Sequence, residues 1–256
     1  MTIALITGAS SGLGEQFAYA LAREGCGLVL TARREDRLQA VAGRARSLGA
    51  SAVSIFPADL SQRPAPAQLY GDVMSGGLKI DMLINNAGFG TRGRFDRLPL
   101  DRELEELDLN ISALVALTHL FVPDMIAARR GTIINVASAA GFQPVPFMAT
   151  YAATKAFVIS FSLALHYELE DTGVGVMALC PGATRTEFQA VARNGDTVPD
   201  FMYMDAETVV AQALQAARKN RALRINGAMN TVMTEVQRAV PRRLVAKVAA
   251  MFYRSE

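Results

Sequence analysis

Cysteine and histidine are scarce, two of each in 256 residues. Two thiols cannot build a disulfide scaffold. Cys26, Cys180, His119 and His166 stand too far apart to suggest a zinc cluster, so no metal is expected. Thiols this sparse fit a reducing compartment, and the cytoplasm is the expected location. Long apolar runs are missing too: nothing approaches about 18 consecutive apolar residues, so no membrane-spanning segment is expected. The N-terminus enters Ile3-Ala4-Leu5-Ile6-Thr7 without the basic flank of a secretory signal. Lysine is rare, since only Lys79, Lys155, Lys219 and Lys247 among 26 basic residues are lysines.

What is present is apolar and unevenly charged. At 51% hydrophobic, the chain has enough apolar surface to offset its conformational entropy, which excludes general disorder. The net charge of +2 hides a polarity. Residues 218–256 carry nine basic and two acidic groups, a net +7, which leaves −5 on residues 1–217.

Short β-branched runs alternate with longer helical stretches. Strands are predicted over 3–7, 27–31, 52–57, 81–85, 132–137 and 174–179, and helices over 12–24, 34–48, 68–74, 101–125, 151–171 and 206–219. That alternation implies an α/β fold, a Rossmann-like doubly wound parallel sheet with helices on both faces. No repeat, low-complexity tract or linker divides residues 1–256, so a single domain is expected.

The turn after the first strand reads Thr7-Gly8-Ala9-Ser10-Ser11-Gly12-Leu13-Gly14. Glycines at that place let the backbone turn sharply and approach a pyrophosphate, whose charge a helix N-terminus favours. The alternative is a plain β-to-α turn. A dinucleotide fold specific for NAD usually carries a carboxylate about 20 residues further on, to bind the ribose 2′-hydroxyl. Here the second strand ends in Thr31-Ala32-Arg33-Arg34, with no acid before Glu35. A guanidinium suits a 2′-phosphate, so NADP(H) is expected over NAD(H), with Arg33 as the discriminating residue.

Tyr151 and Lys155 are four residues apart and share a helix face. A free tyrosine titrates near 10, and bringing it to about 7 takes roughly 4 kcal/mol of preferential phenolate stabilisation. A lysine ammonium within about 6 Å in a partly desolvated pocket supplies much of that. Ser138 stands at a strand end thirteen residues upstream of Tyr151.

Taken together, Thr7–Gly14, Asp59-Leu60, Asn85-Asn86-Ala87-Gly88, Ser138 and Tyr151-Ala152-Ala153-Thr154-Lys155 resemble the short-chain dehydrogenase/reductase family, in its single-domain branch. The resemblance covers residues 1 to about 190 and weakens after about Ala206. It implies that Tyr151 is the general acid in carbonyl reduction and the base in alcohol oxidation. Ser138 would then hydrogen-bond the substrate oxygen, Lys155 would also hold the nicotinamide ribose, and Asn110 would anchor a water on the proton path. The implied cofactor contacts are Gly8, Ser10, Ser11, Gly12, Leu13, Gly14, Arg33, Asp59, Leu60, Asn86, Ala87, Gly88, Tyr151 and Lys155. Pro181, Gly182, Thr184 and Thr186 add to them, from a P-G-x-x-x-T stretch beside the nicotinamide. The resemblance also implies a ketone, aldehyde or alcohol substrate, a homodimer or homotetramer, and a substrate lid over 187–205. Apolar residues in that lid favour an apolar substrate. The rival reading is a non-catalytic dinucleotide-sensing or interaction protein on the same fold.

Residues 236–256 read as a basic amphipathic helix with Leu244, Val245, Val248, Met251 and Phe252 on one face. Packing on the domain or a second subunit, capping the cleft, and peripheral contact with an anionic membrane all remain open. Nucleic acid is not an expected partner, because no aromatic stacking platform accompanies the charges. His119 is expected to be an ordinary helix residue and His166 to meet solvent or a partner subunit. Cys26 and Cys180 read as packing residues.

Overall fold

The computed structural model describes residues 2–186 and 203–253, and most of the expected lid lies outside the described residues. Seven strands form one parallel sheet: β1 (Ile3–Thr7), β2 (Gly27–Thr31), β3 (Ala52–Ile55), β4 (Met82–Asn85), β5 (Gly131–Val136), β6 (Val174–Cys180) and β7 (Leu223–Ile225). Their order is β3-β2-β1-β4-β5-β6-β7. β2 is buried along its whole length, which is why it is a continuous apolar run rather than an alternating one.

Helices cover both faces. On one, α1 (Gly12–Arg23) and α2 (Glu35–Ser47) bury Phe17, Leu21 and Leu38 over β1 and β2, and α7 (Ala206–Arg218) buries Val209 against α1 and β6. On the other, α3 (Ala65–Ser75) and α5 (Leu114–Ala127) bury Leu69, Leu117, Phe121 and Met125. Beside α5 lie α4 (Leu100–Leu107) and α6 (Ala149–Glu168), and α8 (Ala228–Arg238) and α9 (Arg242–Tyr253) complete the chain. Strand order reverses between β1 and β4, which places a ligand crevice at their carboxyl ends.

Several expectations need correction. The single helix predicted over 101–125 is α4 and α5 joined by a π-helical turn, Asp108–Ala113. The whole rod Leu100–Ala127 is long and apolar enough to cross a membrane by length and composition, yet its apolar side is built into the core through Leu117, Phe121 and Met125. β7 and α8 were not anticipated. His166, half-buried, also has a place within the chain: its Nδ1 lies 2.8 Å from the Val176 carbonyl and ties α6 to β6. His119 is an exposed residue of α5.

Beneath the crevice runs a buried polar network. Asn85 Nδ2 donates to Thr118 Oγ1 at 3.0 Å and Asn135 Oδ1 at 2.9 Å, and Asn135 Nδ2 donates to Ser162 Oγ at 2.9 Å. Four elements, β4, β5, α5 and α6, are thereby locked in register. These four side chains are at most 4% exposed, so an unmade bond here would carry its full desolvation cost.

Candidate active site

The glycine turn is shaped by what surrounds it. Gly8 has φ +63°, and a Cβ there would lie 2.9 Å from Ala87 Cα. Thr7 Oγ1 accepts from the N–H groups of Asn86 and Ala87, each at 2.9 Å. Asn86 Nδ2 donates back to the carbonyls of Thr7 at 2.9 Å and Gly8 at 3.2 Å. Asn86, expected to touch cofactor, therefore has its amide committed to bracing the β1 turn against the β4 loop. Gly14 has a related role. A Cβ at 14 would sit 2.3 Å from the Gly8 carbonyl oxygen, so this glycine lets α1 approach the turn. Gly14 itself does not line the crevice.

Ser11 is the N-cap of α1, but its side chain makes no capping bond. The first-turn N–H groups of a helix left without such a cap suit an external anion. Ser10, Ser11, Gly12 and Leu13 line a cleft of about 560 Å³ at this point. Apart from Gly14 and Asn110, every expected site residue lines the same cleft: Gly8, Arg33, Asp59, Leu60, Asn86, Ala87, Gly88, Ser138, Tyr151, Lys155, Pro181, Gly182, Thr184 and Thr186.

At the end of β2 both arginines reach the cleft. Arg33 Nη1 pairs with Glu105 Oε1 at 3.3 Å, and Arg34 Nη2 donates to Ser10 Oγ at 3.4 Å. An ion pair this exposed contributes little, so Glu105 is a weak competitor for an incoming phosphate. Asp59 accepts from the Ser61 N–H at 3.2 Å and the Ser61 hydroxyl at 2.7 Å, fixing the loop after β3.

At the other end of the cleft, Ser138 caps a short 3-10 turn, its Oγ accepting from the Ala140 N–H at 3.1 Å. With that acceptor position engaged, the hydroxyl hydrogen is directed elsewhere. Gly141 holds this turn on α6, because a Cβ there would lie 2.6 Å from the Lys155 carbonyl carbon. Tyr151 and Lys155 are 8% and 5% exposed, with Lys155 Nζ 5.7 Å from the Tyr151 ring centroid. Nζ donates to the Val136 carbonyl at 2.8 Å. Burial pushes the Lys155 ammonium down to about 8, against the opposing pull of Glu106.

Asn110 lies on the π turn and does not line the cleft. Its Oδ1 accepts from the Phe89 N–H at 3.1 Å, and its Nδ2 donates to the Phe89 carbonyl at 2.8 Å and to Thr154 Oγ1 at 3.1 Å. The side chain is a clamp between the β4 loop and α6, with its polar atoms already engaged. A π turn departs from the regular α ladder, so any water held at this point would rely on main-chain carbonyls.

Sequence reasoning missed a pair of buried carboxylates. Glu103 and Glu106, at 5% and 0% exposure, both contact Thr91 Oγ1, and Thr150 Oγ1 also donates to Glu103. A hydroxyl has one hydrogen, so Thr91 cannot donate to both carboxylates. With Thr91 and Thr150 both donating to Glu103, Thr91 Oγ1 is left to accept from Glu106, which places a proton on Glu106. Burial indeed pushes Glu106 up to about 7. Four of the eight residues of α4 are acids, and nothing in that charged run marked these two for burial. Asn230, Met233, Thr234 and Gln237 of α8 also line the cleft, although the sequence match had faded before them.

The uncapped helix start, the close-packed glycine turn and the paired arginines fit a phosphorylated dinucleotide. The doubly wound sheet and its switch-point cleft define a nucleotide-binding α/β protein. A family profile for short chain dehydrogenases matches residues 2–197, and the chain belongs to that family as an oxidoreductase of the dehydrogenase/reductase type. An 11-beta-hydroxysteroid dehydrogenase-like 4A protein of Arabidopsis thaliana is 36% identical over 226 residues, 88% of this chain and 72% of that one. A solved short-chain dehydrogenase from Sphingobium yanoikuyae, in complex with NADPH, is 33% identical with a TM-score of 0.83, covering 94% of this chain and 97% of its own. The bulky-bulky ketone specific alcohol dehydrogenase of Comamonas testosteroni is 32% identical with a TM-score of 0.80, covering 93% and 92%.

Proposed function

We propose that this chain is an NADP(H)-dependent reductase of bulky apolar ketones, working in reverse on the matching secondary alcohols, with Tyr151 as general acid/base. The observation that carries this reading is one cleft with Ser138, Tyr151 and Lys155 at one end and Arg33 and Arg34 at the other. The first set handles a carbonyl oxygen, and the second favours a 2′-phosphate over a 2′-hydroxyl. Ala139, Ala140, Met148 and Met233 line the cleft beside Ser138, an apolar surround suited to a hydrophobic ketone. The NADPH-bound and bulky-ketone relatives support both halves of the reading.

When bound, the nicotinamide supplies the hydride to the carbonyl carbon. Ser138 donates its hydroxyl hydrogen to the substrate oxygen and orients it. Tyr151 Oη then gives its proton to that oxygen, which ends as the alcohol. Lys155, charged and nearly buried, stabilises the phenolate left behind. Asn110 acts one layer back, fixing the Phe89 and Thr154 positions against which Tyr151 and Lys155 are set.

Tyr151→Phe should lower kcat by about 10²–10⁴-fold while leaving NADPH binding intact, since only the proton donor is lost. Turnover retained in that variant would end the catalytic assignment. Arg33→Asp should lower the NADPH/NADH ratio of kcat/KM by about 10- to 100-fold, the worth of one charge-assisted contact. An unchanged ratio would leave Arg34 or the backbone as the discriminator.

A further inference from the structure

The C-terminal helices present a surface the reductase chemistry does not use. On α8, Met229, Val232 and Val236 are 61%, 58% and 57% exposed, a row at helical spacing. On α9, Leu244, Val248 and Met251 form a second row, at 50%, 46% and 78% exposure. Only residues 239–241 separate the two helices. Arg243 and Lys247, both exposed and one turn apart, precede Leu244 and Val248, so a basic row runs beside the apolar one. Over 228–256 the sequence holds five basic residues and two acids, Glu235 and Glu256, and all the basic ones lie from 238 onward.

We infer that α8 and α9 dock the protein onto an anionic lipid surface. A folded protein has no gain from holding six large apolar side chains in water, and an apolar row flanked by cations on α9 matches an interface of acyl chains under negative headgroups. The local charge selects among occupants. A second copy would bring its own Arg243 and Lys247 against this pair, whereas phosphate headgroups neutralise it. The placement also has a use. Met233 is 45% exposed and lines the catalytic cleft, so α8 presents one side to the cleft and the adjacent side to the docking surface. An apolar substrate dissolved in the lipid would then reach the cleft along α8, a route that rests on the apolar-ketone reading.

The test is sedimentation of the full chain with phosphatidylcholine vesicles, with and without about one-third phosphatidylglycerol. Binding to the anionic vesicles is expected to exceed binding to the neutral ones at least tenfold. The double variant Arg243→Gln/Lys247→Gln should lower it by a further order of magnitude, at about fivefold per cation. Val248→Asp/Met251→Asp should abolish it. Both variants should keep wild-type turnover of a small water-soluble ketone, which shows that they fold. Equal binding to the two vesicle types overturns the inference, as does no binding. A fall in oligomeric mass for Val248→Asp/Met251→Asp without vesicle binding by the wild type overturns it in favour of a second copy. Partition is read without turnover, so retained activity in Tyr151→Phe would sink the reductase mechanism and leave this result standing.

Discussion

The catalytic wall and the C-terminal helices solve opposite problems with the same chain. Around Tyr151 and Lys155, polar groups are buried and most are matched to partners: Asn110 clamps Phe89 and Thr154, Asn135 joins Asn85 to Ser162, and Asn86 braces two loops, while Asn85 Oδ1 and Glu106 Oε1 have none. On α8 and α9, large apolar groups stand exposed without such matching. Polar groups held in a desolvated place give direction, which a reaction needs, and each is costly to disturb. Exposed apolar rows cost the fold little and offer adhesion. The contrast teaches that internal polar order and outward apolar surface are carried by separable parts of the molecule.

The comparison is broken most directly at the glycine turn. Gly14→Ala places a methyl group 2.3 Å from the Gly8 carbonyl oxygen, a backbone atom that can move only with the whole turn. A loss of 3 kcal/mol or more is expected, with a Tm fall on the order of 6–12 °C and loss of NADPH affinity. Thermal melts with and without NADPH check both. A mild effect would mean that α1 slides easily on the turn, against a built site.

Asn135→Ala probes the network below. It leaves Asn85 and Ser162 each short of a buried partner, and about 2–3 kcal/mol of unfolding free energy should disappear. Urea titration measures it. A loss below about half a kcal/mol would show that water already serves these groups.

How much of this was legible in the sequence depended on which force set each residue. Strand-helix alternation, the glycine turn and the Tyr151–Lys155 spacing are local patterns, and all six predicted strands appear within two residues of their expected bounds. β7 was missed because three residues, Leu223-Arg224-Ile225, are too few to show a period, and only pairing with β6 makes them a strand. The π turn was missed because Asp108–Ala113 continues the apolar spacing of the helices on either side. Burial of Glu103 and Glu106 arises from tertiary contacts to Thr91 and Thr150, which no spacing rule reports. The arginine pair after β2 was legible as a unit, but that Arg34 also lines the cleft, with Ser10 beside it, needed the fold.

Glu106 gives a smaller and pH-dependent effect. Its carboxyl is raised from 4.5 to about 7 by burial, so the native state holds the proton more tightly than the unfolded chain. Its contribution is intact below about 4.5 and is lost as pH rises through 7. Glu106→Gln should therefore be near neutral at about pH 5 and stabilising by about 1–2 kcal/mol at about pH 8, read by urea titration at both. The charge also has an effect on Lys155. The ionised Glu106 carboxylate favours the Lys155 ammonium against the burial that pushes it down. Without it, the alkaline limb of kcat/KM should move to lower pH by a fraction of a unit. A limb that does not move would separate the two groups.

The smallest expected effect is on α9. Met251→Ser removes an apolar side chain that is 78% exposed, and the unfolding free energy should change by less than about half a kcal/mol. Met251 is not at the cleft, so turnover of a water-soluble ketone should be unchanged. The measurement sharpens the contrast because Asn135 lies in the same fold and costs several times more. Were Met251→Ser to cost 2 kcal/mol, with Tm rising with protein concentration, the α9 row would be buried in solution against another copy. It would then belong with the built wall rather than opposite it. A Tm independent of concentration, together with a near-zero loss, leaves the row available to a surface outside the fold.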